Sequence, residues 1–150
     1  MNLFDKRHRI LAVANGIALP LNVGAPETNK ENQYGFAVKM MSGTVFCPVS
    51  GKIISVTEDR QFRISCYDGD EVTVTVGDRM EKCGQNGVIS LVNAGDPVKA
   101  GNILAKVNLS YLNSNGFSVM APVTVSGRNP VSAEISFGDV RGGKSVVMRY

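Results

Sequence analysis

Histidine is nearly absent from this chain. There is one, His8, in 150 residues, and no His-x-His pair. A zinc centre needs several imidazole, thiolate or carboxylate ligands around one ion, so metal-dependent hydrolysis is not expected and no metal or cofactor is assigned. Cysteine is scarce too. Cys47, Cys66 and Cys83 are odd in number and lack Cys-x-x-Cys spacing, which argues against a disulfide framework or a zinc ribbon. Cys47 and Cys66 lie in hydrophobic stretches, where free thiols act as small core residues. A reducing cytoplasm is the expected compartment. No run approaches the roughly 20 apolar residues of a membrane span. Lys6, Arg7 and Arg9 precede a mildly apolar run, but Asn15, Gly16 and Pro20 interrupt it, which makes a poor signal-peptide core. No long amphipathic helix, heptad, fixed-period repeat or low-complexity run is evident. The net charge of +3 is mild. No aromatic-interleaved basic patch accompanies it, so nucleic acid is not an expected partner.

What remains is the material of one β domain. The length suits a single unit spanning residues 1–150. A domain of this size buries roughly 68–70% of its unfolded surface. Hydrophobic content is 43% and charged content 19%, ordinary globular values. Met1–Arg9 is polar and reads as a loose arm. Ile10–Val23 reads as extended chain kinked at Asn15-Gly16. Gly24–Gln33 is a polar loop. Strands are expected over Tyr34–Met41, Thr44–Val49, Lys52–Thr57 and Val88–Val92. Gly95-Asp96-Pro97-Val98-Lys99-Ala100-Gly101 reads as a tight corner, with Val98 and Ile103 pinning it to the core. Leu109–Asn115 reads as one helical turn. Phe117–Val125 reads as a strand, placed at an edge or a bulge by Pro122. Ile135–Tyr150 reads as a strand pair gapped at Gly142-Gly143. Short strands and frequent glycine together predict an all-β antiparallel sandwich or flattened barrel.

The most informative stretch runs from Glu58 to Lys82. Phe62, Ile64 and Cys66 alternate with Gln61, Arg63 and Ser65. After a turn at Tyr67–Asp70, Val72, Val74 and Val76 alternate with Glu71, Thr73 and Thr75. Period-two alternation predicts a hairpin with the valines inward and Thr75 outward. This stretch resembles the glucose-type IIA component of the bacterial phosphoenolpyruvate-dependent sugar phosphotransferase system. The family pattern is His-Ala-Phe-x-Ile, Asp-Ser-Gly-x-Glu, then a hydrophobic run ending His-Phe-Gly. Phe62, Ile64, Gly69, Glu71, Val74 and Gly77 match it in register. The resemblance extends through Gly35–Lys39, Cys47–Ile53, Gly95–Leu104 and Met120–Val123.

The resemblance implies an antiparallel β-sandwich and a cytoplasmic phosphocarrier that works with protein partners. It also implies that this chain is altered. The position of the phosphoryl-accepting histidine is Thr75, and that of the assisting histidine is Arg60. The acidic residue that follows in the family falls on Arg79, with Asp78 beside it. The polar loop Gly24–Gln33 replaces a segment that carries apolar docking residues in the family. The expected function is therefore that of a catalytically silent IIA-like binding or regulatory module, with Arg60, Phe62, Thr75, Val76, Asp78 and Arg79 as the candidate partner-binding surface. A cluster of Arg60, Arg63, Arg79 and Lys82 is conceivable there, against an ordinary mixed surface. Two alternatives stand beside this reading. One is an active phosphoryl carrier in sugar uptake. The other is a biotinyl- or lipoyl-type carrier, because Ala37-Val38-Lys39-Met40 is similar to a biotinylation turn. Against the latter, the glycine-rich corner follows Lys39 rather than preceding it, and Lys39 reads as strand.

Overall fold

The computed structural model describes residues 8–21, 34–67, 69–77, 86–126 and 133–150. The expected arm before His8 and the loop Gly24–Gln33 lie outside the described residues. So do the site candidates Asp78 and Arg79.

The chain forms strands β1 (Arg9–Leu11), β2 (Gly16–Leu19), β3 (Tyr34–Met40), β4 (Thr44–Phe46), β5 (Gly51–Val56), β6 (Gln61–Cys66) and β7 (Glu71–Thr75). Then follow β8 (Val88–Ser90), β9 (Pro97–Val98), β10 (Ile103–Val107), helix α1 (Leu109–Ser114), β11 (Met120–Ser126), β12 (Glu134–Ile135), β13 (Gly138–Val140) and β14 (Val146–Arg149). An eight-stranded sheet runs β13-β2-β3-β11-β7-β6-β5-β9. Two three-stranded sheets, β1-β14-β12 and β4-β10-β8, accompany it. The ladders are antiparallel. This is the all-β antiparallel sandwich that the short alternating strands predict.

The alternation of β6 and β7 explains the core. Phe62, Ile64, Val72 and Val74 are fully buried and meet Val123, Val125, Phe36 and Val38 from β11 and β3 on the same face. Leu104, Leu112 and Met148 are buried in the same core cluster. Cys47 is buried among them, and burial pushes its thiol up to about 11. It therefore stays protonated and packs as a small hydrophobe.

Four expectations need correction. His8 and Arg9 are not part of a loose arm. Arg9 pairs with Arg149 in β1–β14, and His8 and Tyr150 exchange both backbone hydrogen bonds. Ile103 does not pin the corner: it is exposed, while Leu104 is buried. A register shift between Ile103 and Ala105 on the β4 ladder turns the alternation over at that point. Pro122 sits in a central strand, between β3 and β7. The Met120 carbonyl accepts the Gly77 N–H at 2.9 Å, so position 122, of the same parity, turns its backbone toward β7. In the register of Val123–Val74, Pro122 falls opposite Thr75, so the missing proline N–H costs that ladder one bond, and the Gly77–Met120 bond resumes it beyond. Finally, the strands flanking Gly142-Gly143 do not pair with each other. β13 joins β2 and β14 joins β1. The chain crosses tightly there: a Cβ on Gly142 would lie 2.8 Å from Ala14 backbone and 2.5 Å from the Phe46 ring.

Candidate functional site

The β6–β7 hairpin has two ends, and the sequence-derived site lies at the end away from its turn. Gln61 opposes Thr75, and Phe62 opposes Val74. The next step is Arg60, whose carbonyl accepts the Val76 N–H at 3.0 Å. Arg60 thus lies opposite Val76, one step along the hairpin from the Gln61–Thr75 pair. Both are half-buried. Thr75 lies on the outer face, since its neighbours Val74 and Val76 are fully buried.

Arg60 closes the turn between β5 and β6. Its N–H donates to the Thr57 carbonyl at 3.0 Å, and the Gln61 N–H donates to Thr57 Oγ1 at 3.0 Å. The Thr57 hydroxyl in turn donates to Asp59. Closing this turn needs a left-handed residue, and Arg60 takes it with φ of 60°. Glycine usually fills such a position; an arginine there is strained. Its guanidinium Nε donates to the Val88 carbonyl at 3.2 Å, so the side chain is tied to the start of β8. Among the described residues no carboxylate pairs with Arg60.

Two other proposed members of the surface are not surface residues. Phe62 and Val76 are fully buried. Each sits on the inward parity of its strand, so it supports the site from beneath and cannot contact a partner. Arg63 does not join Arg60 in a basic cluster either. It forms an ion pair with Glu71, the residue diagonal to it across the hairpin. The mixed-surface reading therefore holds for Arg63, while Arg79 and Lys82 lie outside the described residues. Lys39 is in the middle of a sheet, paired with Ile17 on one side and Met120 on the other. A carrier lysine has to project from a turn, so this placement gives no support to biotinylation or lipoylation.

The opposite end of the hairpin holds a group of residues that sequence reasoning missed. Asp70 is the one buried charged residue among those described. The Tyr150 hydroxyl donates to its Oδ2 at 2.9 Å, and the His8 ring packs on the Tyr150 ring with centroids 5.0 Å apart. This brings together positions 8, 70 and 150. No local pattern could have signalled the contact. Beside the Arg60 end, sequence reasoning also passed over Ile89, Leu91 and Lys106. Ile89 and Leu91 are each 52% exposed, and Ile89 opposes Lys106 across β8–β10. A signal was present: Val88-Ile89-Ser90-Leu91-Val92 carries aliphatic residues on both parities, more than one buried face can use.

No helix among the described residues is long and apolar enough to cross a membrane.

Known proteins agree with this architecture. A family model described as the phosphoenolpyruvate-dependent sugar phosphotransferase system, EIIA 1, matches residues 8–131. The chain is 28% identical over 152 residues to a glucose-specific EIIA component of Mycoplasma capricolum, with 99% of both chains covered. It is 29% identical over 93 residues to the glucose-specific EIIA component of Staphylococcus aureus, covering 61% of this chain and 56% of that protein. A match of 30% over 100 residues covers 66% of this chain and 15% of an N-acetylglucosamine-specific EIICBA component of Klebsiella pneumoniae. Among solved structures, glucose permease IIA from Mycoplasma capricolum superposes with a TM-score of 0.87 at 26% identity, over 99% of each chain. With the family model covering most of the chain and the sandwich matching end to end, this protein belongs to the glucose-type IIA family of the phosphoenolpyruvate-dependent sugar phosphotransferase system.

Proposed function

We propose that this chain is a IIA domain that does not carry a phosphoryl group and acts in the cytoplasm as a protein-binding or regulatory module. One observation carries the reading. The outward position at the open end of the hairpin, where the resemblance puts the phosphoryl-accepting imidazole, holds Thr75. The chain's one imidazole, His8, belongs to the other end, stacked on Tyr150, the tyrosine that bonds Asp70. Asp70 and Thr75 are five residues apart, which in an extended strand is on the order of 15 Å.

The chemistry follows from that placement. A neutral imidazole nitrogen attacks phosphorus at neutral pH because it holds a lone pair without prior deprotonation. A threonine hydroxyl must lose its proton first. Arg60, the neighbour across the hairpin, is a permanent cation and cannot take that proton. The pair can hold an anion or a partner, and it lacks a base. Partners of the phosphotransferase kind, or a regulatory target, fit a domain that keeps the family's scaffold.

The test is intact mass after incubation with phosphoenolpyruvate and the system's general phosphotransfer proteins. The expected result is no mass gain. The double variant Arg60→His with Thr75→His rebuilds an imidazole pair and should gain one acid-labile phosphoryl group slowly and partially. Rapid labelling of the unaltered chain would establish the active-carrier alternative.

A further inference from the structure

Arg60 is unusual in three ways at once. It occupies a left-handed backbone conformation that costs a non-glycine residue energy. Its side chain is held by Nε on the Val88 carbonyl. Its charge meets no carboxylate among the described residues, although it is half-buried. Desolvating a guanidinium without a counter-charge is unfavourable. A residue kept in place against both penalties points to something that supplies the missing charge.

The surroundings narrow what that is. Val88, whose carbonyl holds Arg60, is followed by the exposed Ile89. Leu91, two residues on, is exposed as well. Ile89 opposes Lys106, an exposed cation whose Nζ donates to Thr44 Oγ1 at 2.9 Å and which also meets no carboxylate among the described residues. Ile89 and Lys106 line a cavity of about 440 Å³ whose lining also includes Gly43, Asn108 and Leu109. The patch is thus aliphatic between two cations that meet no carboxylate among the described residues, beside a cavity large enough for an apolar side chain. Aliphatic anchors flanked by charges are the pattern of a protein contact. A nucleic acid would call for stacking rings, and none lines this cavity.

We infer that the Arg60–Ile89–Leu91–Lys106 face is a docking surface for an acidic protein segment that presents carboxylates on either side of an aliphatic residue. The inference rests on the reading of this chain as a binding module, and gives that module the sign of its partner. With Nε occupied, the guanidinium offers its two terminal nitrogens side by side, which matches the two oxygens of one carboxylate. The aliphatic residue enters the cavity beside Ile89. The second carboxylate reaches Lys106.

The probe is a short capped peptide with two leucines between two glutamates, titrated into isotopically labelled protein and followed by amide chemical shifts. A matched peptide with lysines in place of the glutamates is the control. The acidic peptide should shift the amides of Arg60, Val88, Ile89, Leu91 and Lys106, and the basic one should not. Arg60→Gln and Lys106→Gln should each weaken binding about fivefold to tenfold, within the range of one net hydrogen bond at a solvent-exposed surface. Lys106→Gln alters an exposed side chain, so it stays informative if Arg60→Gln perturbs the turn. The double reversal Arg60→Glu with Lys106→Glu should transfer preference to the basic peptide. Equal response to both peptides, or shifts that map elsewhere, would overturn the inference. So would self-association at this face in place of peptide binding. Phosphorylation of the unaltered chain is a separate outcome: it would overturn the silent-module reading and leave the peptide preference to stand or fall by itself.

Discussion

The two ends of the β6–β7 hairpin are built to opposite specifications. At the turn end, Asp70 is buried and bonded to Tyr150, His8 packs on that ring, and His8 and Tyr150 zip together through their backbones. At the open end, Pro122 withholds one N–H from the β11–β7 ladder, Arg60 is strained, and its charge is uncompensated among the described residues. A turn end whose polar groups are paired closes the sandwich. The open end presents a cation that meets no carboxylate among the described residues. The same two strands can therefore serve as structure at one end and as surface at the other.

The largest expected effect tests whether the hairpin carries the fold at all. Phe62 lies beneath the open end and is fully buried. Phe62→Ala should destabilise by about 3–5 kcal/mol, the usual cost of removing a buried phenyl ring. Urea unfolding checks this. A loss under about 0.5 kcal/mol, the range of surface substitutions, would return Phe62 to the contact surface and blur the contrast.

The next test addresses the turn end. Tyr150→Phe removes the hydroxyl that reaches Asp70 and keeps the ring against His8. Leaving a buried carboxyl short of a donor should cost about 1.5–3 kcal/mol. The same measurement applies, and a neutral result would mean that the turn end is not specially secured.

These tests also bear on how much could be read from the sequence. The hairpin was legible because a two-residue period over Gln61–Cys66 and Glu71–Thr75 has one physical meaning, a strand with one wet face. The same period places Phe62 and Val76 inward. They entered the candidate surface only because family register was allowed to outweigh alternation. Ile103 was expected inward and is exposed, because a bulge inverts parity and leaves no mark on composition. Pro122 was sent to an edge or a bulge by a rule that counts every missing N–H as fatal, and here the ladder forgoes one bond and resumes at Gly77–Met120. Nothing in Asp59-Arg60-Gln61 announces a left-handed arginine, since turns of this kind normally advertise themselves with glycine. The Asp70–Tyr150 bond joins residues eighty positions apart, a separation at which local pattern carries no information.

A smaller effect separates backbone strain at Arg60 from the work of its side chain. Arg60→Gly and Arg60→Val both delete the guanidinium and its bond to Val88. They differ in tolerance of a φ of 60°. The glycine variant should be the more stable of the two by about 1–2 kcal/mol, the cost of holding a β-branched residue in the left-handed region. Paired thermal melts give the difference directly. Equal melts would show that the turn relaxes freely, and that the open end stores no strain.

The smallest expected effect falls on Thr75. Its side chain is half-buried on the outer face, opposite Gln61, and its backbone is already in strand geometry. Valine has the same shape and a strand propensity at least as high, so the substitution leaves the packing beneath unchanged. What it removes is one hydroxyl. Thr75→Val should therefore alter stability by no more than about 0.5 kcal/mol, as for surface positions outside any network. It should also leave binding of the acidic peptide within about twofold, because Arg60 and Lys106 carry the charge-assisted contacts. The comparison of the two ends depends on this small number. If the hydroxyl were chemically used, the variant would lose a function that unaltered protein shows, such as a phosphoryl mass gain or tighter partner binding. A position that serves only as a strand former should lose nothing measurable when a methyl group replaces its hydroxyl.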